Sequence, residues 1–145
     1  MTNKCSNQDI HKLIERYASN RKLYMTECYN ETLLRSDFLD PLFELLGWDI
    51  KNKAGKTTNE REVILEEPLK NGASENTKKP DYTFRLFAER KFFLEAKKPC
   101  VHIHEADAPT RQARRYGYTA NLKISVLSNF ECLIIYNEYI KLNEN

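Results

Sequence analysis

Lys79-Pro80-Asp81-Tyr82-Thr83-Phe84-Arg85-Leu86-Phe87-Ala88-Glu89-Arg90-Lys91-Phe92-Phe93-Leu94-Glu95-Ala96-Lys97-Lys98 is the stretch whose reading decides the fold. β-Branched and aromatic residues alternate with polar ones on both sides of Ala88-Glu89-Arg90, which predicts two strands joined by a tight polar turn. Successive side chains of a strand point to opposite faces, so Phe93, Glu95 and Lys97 share one face while Phe92, Leu94 and Ala96 share the other. Asp81 falls on the partner strand. Two carboxylates and one amine are thereby brought together on a strand pair otherwise made of core residues.

Burying such charges is costly unless they are paired or bind a cation. A hard divalent cation such as Mg²⁺ prefers oxygen ligands of this kind and keeps several waters of its own. The arrangement suggests a metal site for phosphate chemistry. The plainer alternative is a surface hairpin with a Glu/Lys pair on its wet face, since exposed ion pairs imply little and charged residues make up 30% of the chain.

The 145 residues are the length of one domain, enough to bury a single core. No apolar run is long enough for a membrane span, and the polar start Met-Thr-Asn-Lys-Cys-Ser-Asn-Gln carries no signal-peptide pattern, so a cytoplasmic protein without membrane partners is expected. Cys5, Cys28, Cys100 and Cys132 are widely spread and read as free thiols. Net charge is only +2, so no global basic field points to a partner. Locally, Arg111, Arg114, Arg115 and Lys123 fall in a run without acids, a patch suited to phosphates.

From the start, Ile10, Leu13, Ile14 and Tyr17 predict an amphipathic helix over about Gln8 to Asn20; Leu23 to Tyr29 fits no single element. A stronger helix is expected from an Asn30 cap to Gly47, with an apolar stripe of Leu34, Phe38, Leu42, Leu45 and Leu46. Pro41 predicts a kink or break after Leu39, and Gly47 a C-terminal stop. Trp48-Asp49-Ile50 and Glu62 to Glu66 are predicted strands, 52–60 a polar loop, and Asn71-Gly72-Ala73-Ser74 a turn. Ala108-Pro109-Thr110 opens a further helix to about Ala120, weakened by Gly117. Ile124 to Ser128 and Cys132 to Tyr136 return to strand around a turn at Asn129-Phe130. Helices flanking apolar strands give an α/β fold with a central mixed sheet.

Three further groups bear on function. Gln112 and Tyr116 stand four apart and share a helical face; by itself this is a surface Gln above a half-buried Tyr. Glu31 lies in the first turn of its helix, where the helix dipole alone accounts for an acid. Cys100, His102 and His104 offer ligands that suit zinc and would share one side of a strand. Three ligands packed this closely rarely close a tetrahedral site without a fourth, and a solvated loop with Glu105 and Asp107 hydrogen-bonding the imidazoles is the other reading.

Pro80-Asp81, a spacer and Glu95-Ala96-Lys97 resemble the PD-(D/E)xK nuclease superfamily. Glu31-Thr32, Phe38-Leu39-Asp40-Pro41-Leu42, Leu46-Gly47-Trp48-Asp49, Lys79-Pro80-Asp81-Tyr82, Phe92 to Pro99 and Val126-Leu127-Ser128-Asn129-Phe130-Glu131 occur in the same order as in the N-terminal nuclease domains of type IIG restriction enzymes. Those proteins fuse this domain to an adenine-N6 DNA methyltransferase, and type I restriction subunits begin with a similar one. The resemblance covers roughly Asn30 to Tyr136.

It implies a restriction-endonuclease-like fold, with a helical lead-in at 1–29, a nuclease core at 30–137 and a polar tail at 138–145. It also implies a Mg²⁺-dependent endonuclease, with Mn²⁺ able to substitute, acting on double-stranded DNA. Asp81 and Glu95 would hold the metal with the Ala96 carbonyl, and Lys97 would position water or the phosphate. Glu31 matches an early-helix acid of that site. Gln-x-x-x-Tyr is a motif of one branch of the superfamily, in which Gln112 would orient water or phosphate, Tyr116 would support it, and Arg111 and Arg115 would contact the DNA backbone.

The chain holds neither an Asn-Pro-Pro-Tyr-type loop nor a Gly-rich cofactor loop, so no S-adenosylmethionine site is expected in it. It reads as an N-terminal fragment or stand-alone relative, whose partners would be a methyltransferase and specificity domain and a second copy for cutting both strands. The rivals from other classes are a catalytically silent DNA-binding or interaction scaffold of the same fold and a zinc-stabilised module.

Overall fold

Asn30 opens the central helix of the molecule: its side chain accepts from the Leu33 N–H at 2.9 Å, satisfying an amide that the first turn leaves without a partner. The computed structural model describes residues 7–69, 79–104 and 107–139. Before that cap come α1 (Asn7–Ser19) and the short α2 (Arg21–Tyr24). After it, α3 (Glu31–Leu34), a π-helical turn (Arg35–Leu39) and α4 (Asp40–Leu45) follow without a break. Pro41 therefore does not end the helix. The extra residue of a π turn absorbs the ring, and the Asp37 carbonyl, four residues before a proline that has no N–H, accepts from Arg16 instead.

The inserted residue also rotates the apolar stripe. Leu34, Phe38, Leu39 and Phe43 are the buried positions, whereas Leu42 and Leu45 are half-buried and Leu46 is exposed. Gly47, at φ +103°, then terminates the helix in a conformation that favours glycine. Trp48-Asp49-Ile50 is not a strand. The Asp49 carboxylate accepts from Lys53 N at 2.8 Å and Ala54 N at 3.1 Å, which folds the segment into a turn. Trp48 and Ile50 still pack inward, and that burial explains their strand-like hydropathy.

Five strands follow: β1 (Val63–Leu65), β2 (Tyr82–Leu86), β3 (Glu89–Ala96), β4 (Ile124–Ser128) and β5 (Leu133–Asn137), with α5 (Asp107–Thr119) between β3 and β4. They form one mixed sheet in the order β1-β2-β3-β4-β5, parallel only between β3 and β4. The β2–β3 turn is Phe87-Ala88, both at positive φ, a two-residue loop placed earlier than the polar Ala88-Glu89-Arg90 predicts. A register shift beside Phe84 and Arg85 separates the turn from the pairs that carry the core. The turn expected at 71–74 lies outside the described residues.

The two faces of the sheet are covered differently. Tyr82, Phe84, Leu94 and Ala96 pack with Phe38, Leu39, Phe43, Leu13 and Tyr17 in the main apolar cluster. Phe84 stacks on Phe92 at 4.5 Å between ring centroids, and Phe38 meets Tyr17 edge-on at 5.1 Å. Fully burying each such side chain contributes about 1.5–3 kcal/mol. On the other face α5 makes two smaller clusters, Phe93 with Tyr116 and Ala113 with Ile103 and Leu127. Among the described residues no helix is long and apolar enough to cross a membrane.

Gly117 is not a weak point in α5. A Cβ there would stand 2.1 Å from Ser125 Oγ on β4, so the bare backbone lets helix and strand approach. Gly117→Ala is expected to lower unfolding stability by about 1–3 kcal/mol in urea denaturation, and adding Ser125→Ala to recover most of it. Equal stability of Gly117→Ala and wild type would contradict this packing.

Candidate metal and phosphate site

The ladder that pairs Tyr82 with Leu94 and Thr83 with Phe93 sets Asp81 beside the end of β3. Asp81 Oδ2 accepts the Ala96 N–H at 2.7 Å, and Oδ1 lies 3.2 Å from Arg35 Nη1. Glu95, 5% exposed, points to the α5 face as the alternation requires. Its Oε1 is 3.7 Å from Lys97 Nζ, while its buried Oε2 has no hydrogen-bond partner. Lys97 continues the sheet by one residue, its N–H donating to the Ser128 carbonyl at 3.0 Å. Its Nζ donates to Gln112 Oε1 at 3.1 Å, and Gln112 Nε2 is 3.5 Å from the Tyr116 hydroxyl. Strand β3 and helix α5 are thus tied through Lys97-Gln112-Tyr116, as the four-residue spacing of the last two allows.

Electrostatically the pair is uncomfortable. Burial first and the Asp81 charge second push the Glu95 carboxyl from 4.5 up to about 8, against Lys97 and the Asp81 N–H, which favour its charged form. Burial also raises the Asp81 carboxyl, against the Ala96 N–H and the Arg35 guanidinium, which favour its charged form. Glu31 adds to the rise at both groups, so the first turn of α3 belongs electrostatically to this site. A buried and a half-buried carboxylate, with one oxygen that accepts no hydrogen bond, are a donor set that suits a hard cation, which needs only one or two carboxylates beside water and phosphate. Among the described residues no group of three or more His, Cys, Asp and Glu side chains is arranged to hold a metal ion. The Ala96 carbonyl and water would have to complete the shell.

Over 128 residues, 88% of its length, the chain is 65% identical to the Escherichia coli type II restriction enzyme and methyltransferase RM.Eco57I. The chain matches the N-terminal region of a type IIG enzyme. It spans 13% of the length of that relative. No family model and no solved structure matches it. The mixed sheet flanked by helices is consistent with a restriction-endonuclease-like fold.

Around the centre, the restriction-enzyme likeness leaves individual side chains to be placed by geometry. Arg111 and Arg115 are exposed on α5, whereas Arg114 of the same basic run turns inward, 3.7 Å from Glu138 and over the Tyr136 ring. Cys100, His102 and His104 go separate ways. The Cys100 thiol lies 3.6 Å from Glu27, His104 Nε2 is 3.0 Å from the Cys132 sulfur, and exposed His102 acts electrostatically on Glu131. They occupy a turn rather than a strand, so alternation does not gather them. Glu105 and the Asp107 side chain lie outside the described residues.

Sequence reasoning missed Arg35 and Glu66. Arg35 stands four residues after Glu31 and therefore on the same helical face, a signal that was present in the chain.

The raised Glu95 carboxyl has a thermodynamic sign. Its neutral form is favoured by folding, so that stabilisation is complete below pH 4.5 and is lost as the pH rises to about 8. Relative to wild type, Glu95→Gln should gain thermal stability between pH 5 and pH 9 in metal-free buffer. A pH-independent difference would remove the buried-carboxyl account.

Proposed function

We propose that this chain is a metal-dependent DNA endonuclease domain of the PD-(D/E)xK kind, hydrolysing phosphodiester bonds as the restriction part of a restriction enzyme and methyltransferase fusion. The observation that carries the reading is the pairing of half-buried Asp81 with buried Glu95, whose Oε2 is left without a partner beside Lys97 and Gln112. Most buried side-chain polar atoms have a partner. Glu44 and Glu138 also keep one buried oxygen without one, and Glu95 differs from them in having a second carboxylate, Asp81, and the Lys97–Gln112 pair beside it. The likeness to RM.Eco57I supports the same reading, since that relative's name joins restriction and methylation.

Asp81, Glu95 and the Ala96 carbonyl would hold Mg²⁺, or Mn²⁺ in its place. When bound, the cation supplies charge stabilisation to the phosphate and lowers the pKa of water. Lys97, fixed from α5 by Gln112, presents its amine beside Glu95, where a phosphate oxygen or the attacking water would need a donor. Gln112 positions Lys97 and is itself braced by Tyr116. Glu31 adds negative charge that both carboxylates feel, and Arg111 and Arg115, exposed on α5, would contact the DNA backbone. The core assigned to 30–137 contains all of these groups. Double-strand cutting would call for two such domains, and S-adenosylmethionine would be the business of a separate methyltransferase domain.

A silent scaffold of the same fold is the second reading, favoured by the Arg35 ion pair that already occupies one Asp81 oxygen. Incubation of supercoiled plasmid with purified protein and Mg²⁺ or Mn²⁺ separates the two. Wild type is expected to nick or linearise it, and Asp81→Ala and Lys97→Ala to lose at least about a hundredfold in rate, the scale of one lost electrostatic group. No cleavage by any of the three, with salt-sensitive DNA binding that survives Lys97→Ala, would replace the nuclease by the scaffold.

A further inference from the structure

Arg35 is embedded where a cation would act. Its side chain is 16% exposed, Nη1 is 3.2 Å from Asp81 Oδ1, and Nη2 is 3.6 Å from Glu66 Oε1. The guanidinium carbon stands 6.0 Å from the centroid of the Tyr82 ring, which limits the directions it can take. Its two acceptors are unlike. The Asp81 side chain is 19% exposed and fixed from the other side by the Ala96 N–H, whereas the Glu66 side chain is 63% exposed. Glu66 is nevertheless anchored, because its N–H donates to the Asp81 carbonyl at 3.1 Å. The second acceptor is therefore tethered to the first.

A guanidinium and a divalent cation repel, and each is attracted to the same Asp81 oxygen. We propose that Arg35 is the resident counter-ion of Asp81, displaced toward Glu66 when a divalent cation binds the Asp81–Glu95 pair. The inference rests on the metal-dependent reading of that pair. It gives the chain a way to keep Asp81 paired before the ion arrives, and it sets metal affinity lower than the bare carboxylates would give. An arginine that merely orients Asp81 for the ion has the opposite signature, since its loss would weaken binding.

Mn²⁺ binding to the intact chain, followed by the electron paramagnetic resonance of the free aqueous ion, reads this without reference to cleavage. Arg35→Gln is expected to lower the Kd about tenfold, the equivalent of one charge-assisted hydrogen bond no longer in competition. Arg35→Lys, which keeps the charge without the fork, should fall between Arg35→Gln and wild type. Glu66→Gln should raise the Kd, because the displaced guanidinium loses its second acceptor. Asp81→Asn must abolish the binding.

Unchanged or weaker binding in Arg35→Gln, with binding abolished in Asp81→Asn, overturns the counter-ion and leaves the metal site standing. Binding that persists in Asp81→Asn overturns both. Should Arg35→Gln fail to fold, Glu66→Gln decides, and an unchanged Kd there rejects the proposal.

Discussion

A buried carboxylate and a half-buried one share a corner at the ends of neighbouring strands, and the groups around them are arranged to make that tolerable. Asp81 receives a backbone N–H from Ala96 and a guanidinium from Arg35. Glu95 has Lys97 at 3.7 Å and some help from the Asp81 backbone N–H, yet its buried Oε2 accepts no hydrogen bond. Removing an ionised carboxylate from water costs several kcal/mol unless opposite charge follows it. The consequence is visible in Glu95, whose carboxyl is held near the neutral form to about pH 8. A divalent cation would reverse that preference, and this demand for charge is what joins the fold to a reaction.

The sheet supplies the setting. β3 and β4 are parallel with α5 crossing between them, and Glu95, Ala96 and Lys97 come at the carboxyl end of β3. Open α/β sheets place ligands outside such strand ends. The apolar face of β3 packs in the cluster that holds Phe38, Tyr82 and Phe84, which anchors the hairpin to the helices before it. The other face is covered by α5, close-packed through Gly117, and that helix brings Gln112 to Lys97. One strand thus carries both the core and the chemistry, on opposite sides.

Much of this could be read from the chain itself. The alternation along Phe92 to Lys97 separates apolar from charged faces because the period of a strand is two, and no later contact changes it. The Asn30 cap and the Gly47 stop are local chemistry and were equally legible. Pro41 was not, because a π turn and a donor as remote as Arg16 are tertiary compensations invisible to local rules. Trp48-Asp49-Ile50 misled for a related reason: its apolar residues are buried from a turn, so hydropathy reported burial and not extension. At the site, Asp81, Glu95, Lys97 and Gln112 came from pattern and resemblance together. Arg35 and Glu66 escaped because pairing across the ends of separate elements leaves only a weak trace in spacing.

The likeness to one end of a far longer restriction enzyme and methyltransferase agrees with this chemistry without deciding it. What decides it is whether the buried acid asks for a cation. Carbon-13 nuclear magnetic resonance of the Glu95 carboxyl, titrated with and without Mg²⁺, addresses that directly. The account predicts a midpoint near 8 in metal-free buffer and a fall well below it once Mg²⁺ is present. A midpoint that stays in place on adding Mg²⁺, or one near 4.5 from the outset, would contradict it.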